Sequence, residues 1–133
     1  MTGNAAILDE HLRVMSLGYP LSISDDRKWL VVHGFRLPPG YNRTHTDVLI
    51  EIPEDYPLTP PGVATVLCVA PDLLYQGHVL QSYDVRDVPG LGRWGYLCYR
   101  GIRWRPCSDN LVTLTEMLRV DLTNPSARPV EAE

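Results

Sequence analysis

The thiols of Cys68, Cys98 and Cys107 are the strongest candidate nucleophiles in this 133-residue chain. A thiol attacks as thiolate, so each must be read for what its surroundings do to its pKa of about 8.5. Cys98 stands in a glycine-bounded aromatic stretch, Gly95-Tyr96-Leu97-Cys98-Tyr99-Arg100-Gly101, with Arg93 and Arg100 close in sequence. Nearby positive charge raises the thiolate fraction. Position alone still favours a structural cysteine there. Cys107 directly follows Pro106 at the expected start of a helix, where the macrodipole lowers a thiol's pKa. Cys68 is flanked by Leu67 and Val69 and reads as a small buried hydrophobe. A zinc site built from Cys98, Cys107 and a histidine has no C-x-x-C or H-x-x-x-H spacing behind it. Glycine-rich phosphate loops and serine-nucleophile motifs are absent.

Composition narrows the classes. A 44% hydrophobic content over this length suits one domain with a real core. A net charge of −4 argues against nucleic acid as the main partner. Arg93, Arg100, Arg103 and Arg105 nevertheless make one region locally positive, as a solvated loop or as a docking surface. No apolar run approaches the roughly 18 residues of a membrane span. The acidic start, MTGNAAILDEHL, is unlike a signal peptide, and an odd number of cysteines suits a reducing compartment. A cytoplasmic protein without membrane association is expected.

The elements that must position these thiols follow from periodicity. Leu8, Leu12 and Met15 share a face of a helix over residues 5–17, with Asn4 as N-cap and Gly18 as its left-handed stop. Leu21 to Ser24 is a short first strand, and Lys28 to Leu37 a second, with Trp29, Val31 and His33 on one face and Leu30 and Val32 on the other. From Thr44 to Ile52 the alternation sets Thr46, Val48 and Ile50 against Asp47, Leu49 and Glu51. Pro53 ends that strand, and Tyr56-Pro57-Leu58-Thr59-Pro60-Pro61 forms a stiff corner. A tyrosine there is expected to bury its ring and bond its hydroxyl to a backbone group. A further strand runs from Gly62 to Val69, residues 72–94 read as a long loop with room for short strand pieces, and Ser108 or Asp109 caps a final helix carrying Leu111, Leu114 and Leu118. That defines a domain over 1–124 and a flexible polar tail over 125–133.

The strand, the corner I-P-E-D-Y-P-L-T-P-P and the strand after it resemble the ubiquitin-conjugating enzyme family. Pro53, Tyr56, Pro57, Pro60 and Pro61 fill every fixed place of its P-x-x-Y-P-x-x-P-P corner. The order of the remaining parts matches too: a strand, an irregular segment, Cys98, then Trp104 and Pro106 before a helix. The lack of further C-terminal helices points to the bacterial branch. Gly92-Arg93-Trp94 and Trp104-Arg105-Pro106, followed by Asp109-Asn110-Leu111, are similar to prokaryotic family-E members in particular.

The resemblance implies an α+β fold: an N-terminal helix, a four-stranded antiparallel meander, an active-site loop and one C-terminal helix. It implies no cofactor or metal, and a relay in which an activating enzyme passes the C-terminal carboxyl of a ubiquitin-like protein to the Cys98 thiolate, before a target nucleophile attacks the thioester. Trp104 and Pro106 would brace the loop, Tyr56, Pro57, Pro60 and Pro61 would fix the corner, and His11 and Arg13, on exposed turns of the first helix, would dock the activating enzyme. On the helical wheel alone His11 is a boundary side chain beside Leu8 and Leu12. Bacterial members accompany JAB-type peptidases in systems linked to phage defence.

The chain also departs from the family. The His-Pro-Asn that precedes the cysteine is missing. His78, in Gln76-Gly77-His78-Val79, reads as a loop or structural histidine ahead of a catalytic part. Asn110, loop N–H groups and Arg100 are the accessory candidates near Cys98, with the oxyanion donor unassigned. The alternative reading is a catalytically inactive variant, or an RWD-like domain, acting as a binding scaffold.

Overall fold

A computed structural model describes residues 3–56, 66–80, 83–98, 105, 108–123 and 127–128. The first helix, α1, spans Gly3–Met15. It starts earlier than expected, so Asn4 lies inside it instead of capping it. It closes through Gly18 N–H and Tyr19 N–H, both donating to Met15 O at 3.0 and 3.2 Å. Gly18 therefore stops the helix without the left-handed φ that the sequence suggests.

Strands β1 (Leu21–Ile23), β2 (Trp29–Arg36), β3 (His45–Glu51) and β4 (Val66–Val69) pair antiparallel in chain order. Side chains along a strand alternate between faces, and the expected faces of β2 and β3 hold: Leu30, Val32, Val48 and Ile50 are buried on one side. A bulge between Val32 and Phe35 then changes the parity. Gly34 adopts φ +70°, a conformation that costs glycine little, and the extra residue lets Phe35 and Leu37 rejoin the buried face.

The region expected as a long loop is mostly strand. β5 (Leu74–Tyr75) and β6 (His78–Leu80) form a hairpin whose two turn residues, Gln76 and Gly77, have φ of 51° and 80°. Two successive positive φ values are what a type I′ hairpin turn requires. β7 (Tyr83–Val88) and β8 (Gly92–Cys98) form a second hairpin, and β8 inserts between β4 and β7. The main sheet thus has six strands, in the order β1-β2-β3-β4-β8-β7, where a four-stranded meander was expected. β7 escapes a periodicity search because it is an edge strand, solvated along most of its length.

The last helix, α2, spans Leu111–Thr123 and buries Leu111, Leu114, Leu118 and Leu122. Both helices contribute to one core with the Leu30, Val32, Val48, Ile50, Leu67 and Leu97 face of the sheet. The opposite face carries a smaller cluster, Leu49, Cys68 and Val88, flanked by Trp29, Val31, Leu91, Trp94 and Tyr96. Two residues of the expected tail, Ala127 and Arg128, form β9 and pair with β6. Backbone pairing supplies the order that the polar side chains alone could not.

Long side chains stitch the layers. Tyr41 donates its hydroxyl proton to Leu122 O at 2.7 Å, and its ring lies 5.0 Å from that of Tyr75. Arg119 of α2 donates to the Tyr19 hydroxyl at 2.8 Å and stands over the Phe35 ring. Tyr83 lies over Gly95, where any Cβ would overlap its ring. The Tyr83 hydroxyl donates to Ala70 O and accepts from Leu73 N–H, holding the turn after β4.

Candidate active site

Cys98 is the last residue of β8, its backbone opposite Val66 of β4. Its backbone is therefore anchored in the sheet and not within a loop. Its side chain lies outside the described residues, as do Arg100, Trp104, Pro106, Cys107, Pro57, Pro60 and Pro61. Cys68 lies one strand away on β4, 1% exposed, and burial, with a smaller push from Glu51, raises its thiol to about 12. At neutral pH it carries almost no thiolate and is a packing residue.

The chain re-enters α2 through a tight turn. Asp109 accepts the Arg105 N–H on Oδ2 at 2.7 Å, and its own N–H donates to Arg105 O at 2.7 Å. Asn110, not Ser108 or Asp109, is the N-cap. Its Oδ1 accepts from Val112 N–H at 2.8 Å and Thr113 N–H at 3.2 Å, while Asn110 N–H donates back to Thr113 Oγ1 at 2.8 Å. This reciprocal pattern satisfies helix-terminal donors that have no partner within the helix. The cap uses only the acceptor oxygen of the Asn110 amide; the Nδ2–H2 group is the half that can donate to an oxyanion.

The remaining free donor of that first turn, Leu111 N–H, is met from 55 residues away. It donates to the Tyr56 hydroxyl at 2.8 Å. Tyr56 is 2% exposed, and burial holds its phenol well above the ordinary value, so the hydroxyl keeps its proton at neutral pH. Tyr56 thus buries its ring and bonds its hydroxyl to a backbone group, as the sequence suggested, and that group is the start of α2. No sequence signal identified that partner.

The same hydroxyl lies 2.7 Å from His11 Nδ1, and the two rings meet edge to face with centroids 5.6 Å apart. His11 is half-buried against the corner and does not stand on an exposed turn. Loss of solvent lowers its pKa from 6.5, opposed in part by Glu10. Arg13, by contrast, is exposed and paired with Glu10 at 2.5 Å. His78 is exposed at the start of β6 and makes no side-chain hydrogen bond among the described residues.

One unexpected constellation lies on the outer sheet face. Ser22 Oγ is 2.7 Å from His33 Nε2, and His33 Nδ1 is 3.5 Å from Asp47 Oδ2. The pattern resembles a nucleophile, base and orienting acid, but the second distance is long for a hydrogen bond. Asp47 Oδ1 meanwhile accepts the Gly34 N–H at 3.2 Å. The trio ties three strands together at the bulge.

No group of His, Cys, Asp or Glu among the described residues could hold a metal ion, and no helix there is long and apolar enough to cross a membrane. No curated protein and no solved structure matches the chain. A family model does, over residues 8–124, and it takes in α1 from Leu8 onward, α2, the whole six-stranded sheet and Cys98. The chain belongs to prokaryotic E2 family E, a ubiquitin-conjugating-like family.

Proposed function

We propose that this protein carries a ubiquitin-like protein as a thioester on Cys98. The observation that carries the reading is family membership across residues 8–124, which supports a conjugating transferase role in general. The inert state of Cys68 narrows the choice of thiol to Cys98 and Cys107. Cys98 is preferred because it alone occupies the position of the family's cysteine, ahead of Trp104 and Pro106.

In this relay the Cys98 thiolate attacks the activated C-terminal carbonyl held by the activating enzyme. The carbonyl–sulfur bond forms and the activating enzyme's thiol departs. An amine or other nucleophile then attacks the new thioester, releasing the Cys98 thiolate. Arg100, two residues after Cys98, would favour the thiolate, whereas Arg93 lies five residues back along β8 and pairs with Asp87; Arg13 beside Glu10 offers a charged docking point on α1. The partners in this reading are a ubiquitin-like protein, its activating enzyme and a JAB-type peptidase, with antiviral defence as the setting.

The test is a charging reaction with a cognate activating enzyme, ubiquitin-like protein and ATP, resolved on a non-reducing gel. A thiol-sensitive adduct should appear, vanish in Cys98→Ala and persist in Cys107→Ala. Cys98→Ser should retain a thiol-resistant ester. The absence of His-Pro-Asn favours one rival, a binding scaffold. Binding of the ubiquitin-like protein without any adduct would establish that rival and overturn the relay.

A further inference from the structure

The six-stranded sheet ends at β7, and among the described residues nothing pairs with the outer edge of that strand. The unpaired N–H and C=O groups of such an edge are a template for another strand. Asp84, Val85, Arg86 and Asp87 are all exposed, Val85 at 37%. The faces of β7 follow from its neighbour. Tyr83 stands opposite Leu97 and packs on the main core, so Val85 and Asp87 share the helix-covered face. Asp84 and Arg86 lie on the other face, where Arg86 stands over the Tyr96 ring and pairs with Asp84 at 2.9 Å. Beside Val85, a cavity of about 510 Å³ opens between β7 and the β5–β6 hairpin, with Leu73, Leu74, Val79 and Tyr83 among its walls.

Charges on an edge strand ordinarily deter pairing. On β7 they deter every well-overlapped symmetric register but one. Two copies related by a twofold axis perpendicular to the sheet pair antiparallel about a single residue, because facing side chains must share a face. An axis at Asp84, Arg86 or Asp87 sets like charges directly opposite each other, which is destabilising. An axis at either end of the strand leaves most of it unpaired. An axis at Val85 sets Asp84 opposite Arg86 on both sides, Tyr83 opposite Asp87, and Val85 opposite its own copy. We propose that β7 is a self-association edge whose partner is a second copy of this chain, joined antiparallel about Val85 so that the two six-stranded sheets become one. The facing valines cover apolar surface that the single chain leaves exposed. The two Cys98 backbones then lie about 25 Å apart, roughly three strand spacings across the sheet and six residues along it. That two thioesters share one sheet is the only consequence that rests on the relay; the pairing itself does not.

The experiment is sedimentation velocity of the full chain under reducing conditions, from micromolar to millimolar concentration. The wild type should show a monomer–dimer equilibrium that shifts with concentration. Arg86→Asp sets carboxylates against each other across the axis and should weaken the dimer about tenfold or more, since symmetry repeats the change. Asp84→Arg combined with Arg86→Asp restores unlike charges in reversed order and should recover the dimer. Both of these variants lose the contact of Arg86 with Tyr96, so recovery reports pairing across the axis and not that contact. Should Arg86→Asp not fold, Asp84→Arg alone supplies the like-charged edge. A chain that stays monomeric throughout, its edge taken by another segment or left to a different partner, overturns the proposal. So does a dimer that ignores the charge changes or fails to recover on their reversal. No activating enzyme enters the measurement, so a failure of charging and a failure of self-association are separately visible.

Discussion

Single side chains set the electrostatics of this protein through burial more than through ion pairs. Its salt bridges, such as Arg13–Glu10 and Arg86–Asp84, are largely exposed and contribute little each. His11 is different, because burial depresses its pKa. A base with a depressed folded-state pKa binds fewer protons folded than unfolded between the two values, so stability rises with pH across that interval. The stabilisation is complete above about 6.5 and is lost as pH falls toward the lowered value. Thermal midpoints of the wild type should therefore fall on acidification through this window, and His11→Gln should remove that part of the slope. An unchanged slope in the variant would assign the acid sensitivity to other groups.

At the scale of elements, legibility followed apolar periodicity. The faces of β2 and β3, the leucine stripe of α2 and the packed stripe of α1 were all readable, because each element has one wet and one dry side. β7 was not, because an edge strand reading Tyr-Asp-Val-Arg-Asp-Val satisfies half its backbone with water and needs no apolar face. β8 hid for another reason. Its Gly95 looks like a loop residue, yet it exists to admit the Tyr83 ring. Gly95→Ala should thus cost about 1–3 kcal/mol by overpacking, measured by urea unfolding. In a Tyr83→Ala background the same change should cost much less, since the clash is gone. Equal costs in both backgrounds would point to a backbone effect at residue 95. The cap of α2 illustrates the limit of reading locally: Asn110 and Thr113 form a recognisable pair, but nothing near Leu111 in sequence reveals Tyr56.

Across the whole molecule, two helices cover one face of a six-stranded sheet, and a small sheet of β5, β6 and β9 flanks it. The family and the α+β class were legible from the proline corner and the order of parts. The extra strands were not, because β7 is a solvated edge strand and Gly95 interrupts the pattern of β8, and only the seams that β8 makes with β4 and β9 with β6 are non-local. β9 adds only two residues, so deleting 127–133 should leave the unfolding midpoint nearly unchanged while raising amide exchange in β6. A large fall in the midpoint would show that the C-terminal pairing carries core stability. The strand order has a kinetic corollary. The β7–β8 turn closes over three residues, whereas the seam between β4 and β8 joins segments more than twenty residues apart. Loop-closure entropy favours the hairpin first. A newly made chain therefore brings Cys98 to the sheet as the end of a preformed hairpin, and its backbone reaches its final place only when the β4 seam closes.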